Sequence, residues 1–364
     1  MSLLEEGQAV RDTYEVERFL GEGAFAEVYR VRHRYLGRQA LKLFKTAGLT
    51  ASEVEDMLGE AVLLSRIDHP NIVRVFDANT ITINGQLYGY FTMEHVPGGS
   101  LDRFWRSHGA QFVPVSTTVD LIRQVCAGLS TAHSQDPPII HRDIKPQNIL
   151  VGYQSDGLRA KVSDFGLAKK VNPLTLMASA RGTRVFKAPE ALEDFESDSC
   201  AGDVWAVGMT FYLLLTDKLP FVAPDGGDSP NYAQVLDLPS RINAMCDSRI
   251  DSIIQRSLAI DRAGRYKTAA ELLADLEGWA PKLLVETQDD KRPSGVTSKE
   301  VLGRPSPVAP KEARRLAEHA IELAQDPTTL CEAADLMEEA FNRLPQLRTE
   351  YQGRVKLWRR GISM

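Results

Sequence analysis

The sequence is poor in cysteine and has no closely spaced cysteine pair. Its 364 residues include four cysteines, and none of them forms a C-x-x-C motif. Their positions are widely scattered: Cys126, Cys200, Cys246 and Cys331. This spacing argues against a zinc site, a redox motif or a disulfide framework. We therefore expect reduced thiols, as in a cytoplasmic protein.

The chain also lacks a long apolar run and a strong excess of one charge. No apolar run approaches the roughly 18 residues that a membrane span needs. Residues 1–13 carry acidic side chains and no apolar segment of the signal-peptide type. The net charge of −6 argues against a general nucleic-acid binder. We expect a cytoplasmic protein without a membrane span and without a nucleic-acid partner.

Residue patterns change along the chain from strand-forming to helix-forming. Aromatic and β-branched residues broken by glycines predict strands, and these patterns lie at 14–44, 72–79 and 86–96. Apolar residues at helical spacing predict a helix at 51–66 and mainly helices beyond residue 101, apart from short strands at 148–152 and 160–163. A strand-rich part followed by a larger helical part therefore fills about 14–280.

The last quarter of the chain has a different composition. Residues 281–310 contain five prolines and mixed charge, which is typical of a linker. Three amphipathic helices are predicted beyond it; the first places Ala313, Ala317, Ala320 and Ala324 on one face. Thr329 and Glu332 fit a capping box for the second helix. Two interpretations remain open: an extension packed on the preceding domain, or a docking module for a protein partner at 311–360.

The glycine-rich stretch GEGAFAEV at 21–28 fits two kinds of nucleotide site. A dinucleotide-binding turn places its glycines before a helix, with an acidic residue about 20 positions further on. A glycine-rich ATP flap lies inside a strand–loop–strand hairpin. Here a strand pattern follows Ala26, and the residue 19 positions beyond Gly23 is Lys42. Both features favour the ATP flap, in which backbone N–H groups face phosphates and a lysine meets their charge.

Three further motifs occur in a characteristic order: HRDIKPQN at 141–148, DFG at 164–166 and APE at 188–190. Together they resemble the eukaryotic-like protein kinase family, including its bacterial-type members. The resemblance implies an α+β, bilobal protein kinase fold. It has an antiparallel β-rich N-lobe with one helix and a mainly α-helical C-lobe, here followed by a C-terminal α-helical extension. The implied parts are a lead at 1–13, a kinase domain at 14–280 (N-lobe 14–96, C-lobe 97–280), a linker at 281–310 and a helical extension at 311–364.

The resemblance assigns chemistry to the HRDIKPQN and DFG motifs. Asp143 would orient the substrate hydroxyl and accept its proton, because an ordinary carboxylate is ionised at pH 7. Lys145 would approach the γ-phosphate of ATP and marks a serine/threonine-type kinase. Asn148 and Asp164 would hold Mg²⁺, with Mn²⁺ as an alternative ion. The expected enzyme is a serine/threonine protein kinase that uses ATP and acts on proteins.

The same resemblance assigns an ATP site in the strand-rich part. Lys42 would pair with Glu60 on the predicted helix, and Lys45 is the alternative lysine. Met93 resembles the gatekeeper, and the hinge follows it. The full set of expected ATP-binding residues is Leu20, Gly21, Gly23, Val28, Ala40, Lys42, Glu60, Met93, Glu94, Val96 and Leu150.

Residues 164–190 resemble an activation segment. Thr175 and Ser179 are its candidate phosphosites, and Thr183 resembles the threonine beside the substrate channel. Arg142 would pair with a phosphorylated segment, so we expect autophosphorylation. Two structural contacts are also implied. One is an ion pair between Glu190 and Arg265. The other is a set of hydrogen bonds to Asp203 from the backbone of the HRDIKPQN segment at 141–148, which we call the catalytic loop.

Ala26 stands where the family usually has a third glycine in the flap. Alanine allows fewer backbone conformations than glycine, so we expect Ala26 to weaken ATP binding. Inactive relatives usually lose the lysine or one of the aspartates, whereas Lys42, Asp143 and Asp164 are all present. The alternatives are a pseudokinase or an interaction scaffold that uses the C-terminal helices, whose second helix weakly resembles a tetratricopeptide repeat. A small-molecule kinase is disfavoured, because such enzymes lack DFG together with APE.

Overall fold

The computed structural model describes most of the chain, and its residues form two compact units. The described residues are 2–23, 25–46, 52, 58–59, 65, 67–109, 111–165, 184–194, 197–221, 230–281 and 310–363. The first unit consists of residues 1–95 with 165–179, and the second of residues 96–164 with 180–364. In the described part of the chain, no helix is both long and apolar enough to cross a membrane.

The first unit is built on a six-stranded antiparallel sheet with the strand order β1-β2-β3-β4-β6-β5. The strands are β1 (Ala9–Val10), β2 (Tyr14–Glu22), β3 (Ala26–His33), β4 (Gly37–Phe44), β5 (Val75–Ile83) and β6 (Gln86–Glu94). The strand predicted at 72–79 begins later and runs further than expected, to Ile83. Only positions 52, 58–59 and 65 of the helix predicted at 51–66 are described, and they are helical.

One face of this sheet is covered by the N-terminal residues. The apolar cluster on that face includes Leu4, which is 2% exposed, together with Tyr29 and Tyr90. The Leu4 amide donates to the Tyr29 hydroxyl at 3.0 Å, and β1 pairs with β2. The described residues of the predicted lead, 2–13, therefore complete the first unit and bury apolar surface that strand alternation leaves exposed.

The second unit combines helices with one hairpin. Its hairpin consists of β7 (Ile149–Gln154) and β8 (Gly157–Val162). Among the described residues before the extension, the helices are α1 (Leu101–Arg106), α2 (Val115–His133), α3 (Pro189–Glu193), α4 (Cys200–Thr216), α5 (Pro239–Ile242), α6 (Ser248–Ser257) and α7 (Ala269–Glu277). Short 3₁₀ turns span Pro146–Asn148, Arg184–Phe186 and Arg262–Gly264.

Helix α4 lies at the centre of this unit. It is apolar on every side, as its sequence predicts for a buried helix, and Trp205 and Leu213 are fully buried. The Ser199 side chain caps its first turn by accepting from the Gly202 amide. The helix ends at Asp217, whose φ of 61° lies in the left-handed region. Its burial fixes the one polar side chain of its first turn, Asp203, next to the catalytic loop.

The C-terminal extension forms three helices that belong to the second unit. They are α8 (Pro310–Leu323), α9 (Leu330–Arg343) and α10 (Gln346–Arg359), with a 3₁₀ turn at Pro327–Thr329. The four alanines predicted to share one face of α8 are all buried. Their apolar cluster also contains Phe341, Trp358 and Tyr153 of β7. The extension is therefore packed on the rest of the second unit, and a protein partner would have to bind its outward faces.

The predicted capping box at the start of α9 is wrong. Thr329 precedes the helix, but its side chain makes no capping hydrogen bond to it. The hydroxyl instead donates to the Asp326 carbonyl at 3.0 Å and also contacts the Leu323 carbonyl. Leu323 ends α8 and Asp326 precedes the 3₁₀ turn, so the hydroxyl satisfies acceptors between the two helices.

Candidate active site

The catalytic loop brings Asp143, Lys145 and Asn148 together. Lys145 Nζ lies 2.8 Å from Asp143 Oδ2, and Asn148 Nδ2 donates to the same oxygen at 2.8 Å. Asn148 Nδ2 also donates to the Asp143 carbonyl at 2.8 Å. The 3₁₀ turn at Pro146–Asn148 carries the asparagine back towards the aspartate. The carboxylate is thus held by one cation and one amide donor.

The backbone of this loop is anchored on Asp203. Its carboxylate accepts from the His141 amide at 2.7 Å and from the Arg142 amide at 2.8 Å. Arg142 has a φ of 70°, a left-handed conformation that costs free energy for a residue other than glycine. Two hydrogen bonds to a buried carboxylate offset that cost. Asp203 thereby fixes the direction in which the loop presents Asp143.

The charge of Asp203 is stabilised in a buried environment. Burial alone would raise its pKa, but His133 and the His141 backbone amide hold the pKa of Asp203 below its ordinary value. His133 Nε2 lies 3.0 Å from Asp203 Oδ2. Burial alone would lower the pKa of His133. Its contacts with Asp203 and Cys200 outweigh burial and raise the pKa of His133 to about 9. Asp203 is therefore stabilised as a carboxylate, to which His133 donates through Nε2.

His141 connects the loop to the strand before Asp164. Its Nε2 is 2.8 Å from the Ser163 carbonyl, and its Nδ1 accepts from the Asp143 amide at 3.2 Å. Burial lowers the pKa of His141, which favours the neutral ring that these two contacts require. Asp164, the next residue after Ser163, has a φ of 62°. Sequence motifs place Asp143 and Asp164 21 positions apart, and His141 couples their two segments.

Lys42 and several predicted ATP-binding residues share one face of the sheet in the first unit. Across β3, β4 and β6, Val28 is in register with Lys42, Lys42 with Phe91, and Ala40 with Met93. Directly paired residues and residues two apart on a strand point to the same face. Lys42 Nζ lies 6.0 Å from the centre of the Phe91 ring. The alternative lysine, Lys45, is instead paired with Glu22 at 2.9 Å.

The flap hairpin accommodates Ala26 without strain. Ala26 is the first residue of β3, is 3% exposed, and is in register with Phe44. Its carbonyl accepts from the Gly23 amide at 2.8 Å. A strand residue adopts an extended conformation that any L-amino acid tolerates, so the missing third glycine is not required at this position. Gly21 lies in β2 opposite Val28, and Leu20 precedes it and is half-buried.

Of the remaining predicted site residues, three lie in the described part of the chain and four lie outside it. Glu94 ends β6 opposite Gln39, whereas Val96 and Leu150 belong to the second unit, where Leu150 bridges to Ser100. Four predicted residues lie outside the described part of the chain: Glu60, Thr175, Ser179 and Thr183.

Arg142 has a neighbour that the sequence pattern did not indicate. Its Nε lies 3.5 Å from Asp198 Oδ2, and Lys187 Nζ lies 3.6 Å from the other oxygen of Asp198. Arg142 was expected to meet a phosphorylated activation segment, and here it faces a carboxylate from the segment before α4. No motif spacing marks Asp198, because its contact depends on how that segment folds back on the loop.

Arg265 forms the buried contact implied for it. Its guanidinium donates to both carboxylate oxygens of Glu190, at 2.8 and 3.2 Å, and to the Ala201 carbonyl at 3.0 Å. The Arg265 side chain is fully buried, and that of Glu190 is 21% exposed. A two-pronged contact of this kind is among the stronger ion pairs. It joins the APE motif to the start of α4.

Known proteins resemble this chain over most of its length. The family described as "Protein kinase domain" matches residues 14–276. The serine/threonine-protein kinase PknB of Mycolicibacterium smegmatis is 33% identical over 304 residues, which cover 79% of this chain and 47% of that protein. ATG1c, a serine/threonine-protein kinase of Arabidopsis thaliana, is 35% identical over 216 residues, covering 59% and 28% respectively. The chain thus spans less than half the length of these two curated relatives.

A solved structure shows the same likeness. The crystal structure of the Mycobacterium tuberculosis PknI kinase domain matches with a TM-score of 0.57 and 25% identity. The match covers 75% of this chain and 98% of that chain.

Proposed function

The chain belongs to the protein kinase family, and on this basis we propose that it transfers the γ-phosphoryl group of ATP to serine and threonine hydroxyls of proteins. The observation that carries the proposal is the geometry around Asp143. A carboxylate held by Lys145 and Asn148, on a loop anchored to Asp203, suits a group that must orient a hydroxyl. The names of the curated relatives support serine and threonine as the acceptors.

In this proposal, Asp143 accepts the proton of the attacking hydroxyl. Lys145 and Asn148 hold the carboxylate in place through an ion pair and a hydrogen bond. Lys145 also supplies positive charge near the position of the γ-phosphoryl group, where negative charge spreads over three oxygens during transfer. The second unit thereby contributes the proton acceptor and one cation from a single loop.

We further propose that Asn148 and Asp164 hold Mg²⁺, with Mn²⁺ as a substitute. Both hydrogen bonds from Asn148 to Asp143 use its amide nitrogen, so the amide oxygen is the atom of this side chain that suits a metal ion. One amide and one carboxylate oxygen fit Mg²⁺, which prefers few protein ligands beside phosphate and water. When bound, the ion would neutralise charge on the phosphate oxygens.

The first unit would supply the nucleotide-binding face. Val28, Ala40 and Met93 lie on the same sheet face as Lys42 and would contact the adenine ring, while Lys42, supported by Glu60, would contact phosphate oxygens. The hinge around Glu94 and Val96 would offer backbone hydrogen bonds to the adenine.

The direct test of the function is transfer of labelled phosphate from ATP to a generic protein. We expect phosphoserine and phosphothreonine, with transfer lost when EDTA removes divalent metal and restored by excess Mg²⁺. Transfer that persists in EDTA would contradict the metal assignment alone. Binding of ATP without any transfer would contradict the proposed enzyme.

We also propose that the enzyme phosphorylates its own activation segment at Thr175 or Ser179. A phosphate there would compete with Asp198 for Arg142, because a phosphate carries more charge than a carboxylate. After incubation with ATP and Mg²⁺, mass spectrometry should find phosphate on one or both residues. In a Thr175→Ala, Ser179→Ala double variant, the peptides that contain these two positions should carry no phosphate there. Active wild-type enzyme that leaves both residues unmodified would rule the proposal out.

A further inference from the structure

The C-terminal helices contact two backbone segments of the second unit that adjoin predicted ATP-binding residues. Asn342 on α9 donates through Nδ2 to the Pro97 carbonyl at 3.0 Å. Glu338, one turn earlier, accepts from the Tyr153 amide at 3.2 Å. Pro97 directly follows Val96, and Tyr153 lies three residues beyond Leu150 on β7. One helix therefore holds both segments through their backbones.

Two glycines let these backbones approach each other closely. A Cβ atom on Gly98 would lie 2.0 Å from the Val151 carbonyl oxygen and 2.9 Å from Glu338 Oε2. A Cβ atom on Gly152 would lie 3.2 Å from Val96 Cγ1 and 3.4 Å from Glu338 Oε2. The segment at 96–99, strand β7 and helix α9 are thus packed without room for a side chain between them.

Glu338 is built into this contact as a buried carboxyl group, and burial raises its pKa to about 7. It is 1% exposed, and Arg359 of α10 donates to it at 2.8 Å. Arg359 also lies 2.6 Å from Asp335. A carboxylate buried to this degree is costly unless it is paired and hydrogen-bonded. Here the Tyr153 amide and Arg359 provide those partners, so the position of the carboxylate depends on both α10 and β7.

The third helix adds contacts on either side of the same region. The Arg348 guanidinium lies 4.8 Å from the centre of the Phe104 ring on α1. Gln352 accepts from the Tyr153 hydroxyl at 3.1 Å, and Arg360 donates to the Ser155 carbonyl at 2.7 Å. The extension therefore contacts α1, the segment before it and the tip of the β7–β8 hairpin.

We propose that the C-terminal helices position the nucleotide-binding segments of the second unit, with Asn342 and Glu338 as the positioning residues. The proposal rests on the ATP-dependent function proposed above. Neither side chain touches the reacting atoms. Asn342 holds the Pro97 carbonyl and so positions the adjacent Val96. Glu338 holds the Tyr153 amide and so positions β7, the strand that carries Leu150. Their loss should therefore weaken ATP binding more than it slows phosphoryl transfer.

The sharpest variant is Asn342→Asp in the full chain. It keeps the size of the side chain but replaces the amide donor with a carboxylate that faces the Pro97 carbonyl. Asn342→Ala removes the donor without adding charge, and Glu338→Gln removes the charge pair with Arg359. The matched controls are Gln325→Ala and Glu318→Gln, because both residues are exposed on the same extension. One net hydrogen bond corresponds to about a two- to tenfold change in a binding constant.

Two readouts together decide the proposal. ADP dissociation constants and the split between KM for ATP and kcat report on nucleotide binding, and hydrogen exchange at the Gly99 and Val151 amides reports on the segments in the absence of nucleotide. We expect Asn342→Asp to weaken ADP binding and raise KM for ATP by at least about threefold, with kcat and the melting temperature nearly unchanged. Exchange at both amides should rise, and the controls should match wild type.

Other outcomes would overturn the proposal. Unchanged ADP binding in all three variants would show that the contacts do not position the site. A parallel loss of kcat, ADP affinity and melting temperature would show a general structural role instead. If wild-type protein binds ADP but transfers no phosphate, the proposed enzyme fails while the binding and exchange measurements still decide the positioning role. If wild-type protein binds no nucleotide, the positioning proposal fails as well.

Discussion

Replacing Asp143 with asparagine is expected to lower kcat by about 10²- to 10⁴-fold, the usual contribution of general acid–base catalysis. Asparagine has the same shape, and its oxygen can still accept from Lys145 or Asn148, which lie 2.8 Å from the carboxylate. It cannot take up a proton from the substrate hydroxyl. The melting temperature and the dissociation constant for ADP should therefore change little, and the effect should fall on the chemical step.

Asp120→Asn is the matched control for this change. Asp120 lies on α2 with a side chain that is 63% exposed and paired to Arg123 in the next turn. An exposed pair of this kind contributes at most about 1 kcal/mol to stability, and its loss should leave kcat at the wild-type value. A full wild-type rate in Asp143→Asn would remove Asp143 from the proposed mechanism.

Replacing Asp203 with asparagine is expected to reduce both stability and activity. The carboxylate is buried and accepts from the His141 and Arg142 amides while it pairs with His133. An asparagine side chain would turn its NH₂ group towards donors, and it would leave His133 without the carboxylate that accepts from its Nε2. Breaking a buried pair costs about 3–5 kcal/mol of the free energy of unfolding. The loop that presents Asp143 would also lose its anchor, so kcat should fall.

Asp251→Asn separates these two effects. Asp251 is also buried and accepts from the Ser240 amide at 3.0 Å and the Ser240 hydroxyl at 2.6 Å, far along the chain from the catalytic loop. Urea unfolding should show a loss of stability in both variants, whereas kcat measured under folding conditions should fall only in Asp203→Asn. Equal kcat values in the two variants would contradict the anchoring role of Asp203.

The pH dependence of stability gives a second signature of Asp203. Its pKa is lowered in the folded protein from the ordinary value of 3.8. Such a carboxylate stabilises the fold fully above its unfolded-state pKa, and this contribution is lost as the pH falls through the folded-state pKa. The difference in unfolding free energy between wild type and Asp203→Asn should therefore shrink as the pH falls below the ordinary pKa of 3.8 and through the lower folded-state pKa of Asp203.

The sequence predicts the fold well. The α+β protein kinase fold is confirmed by the family match over residues 14–276 and by the PknI likeness. Alternation along the strand places Lys42 on the same sheet face as Ala40, and the observed register adds Val28, which lies opposite Lys42. The buried α4 follows from its unbroken apolar composition. These features depend on local periodicity or on motifs whose spacing is set by the chemistry.

Several contacts between distant segments carry no signal in the sequence. Glu338 and Tyr153 are 185 residues apart in the sequence. The turn between β7 and β8 has an ordinary polar composition, which does not indicate that the extension packs on this hairpin. Leu3 and Leu4 are too few to form a periodic pattern, so their burial against the sheet has no local signal. Thr329 matches a capping pattern, yet nearby carbonyls compete successfully for its hydroxyl. The weak tetratricopeptide resemblance stays a prediction.

Labelled phosphate transfer from ATP, followed by analysis of the modified amino acids, tests the proposed kinase activity most directly. The full chain, a generic protein substrate and Mg²⁺ are incubated beside the Asp143→Asn variant. The result predicted is phosphoserine and phosphothreonine formed by the wild-type chain and reduced to near background by the variant. ATP binding by wild-type protein with no labelled serine or threonine would contradict the account.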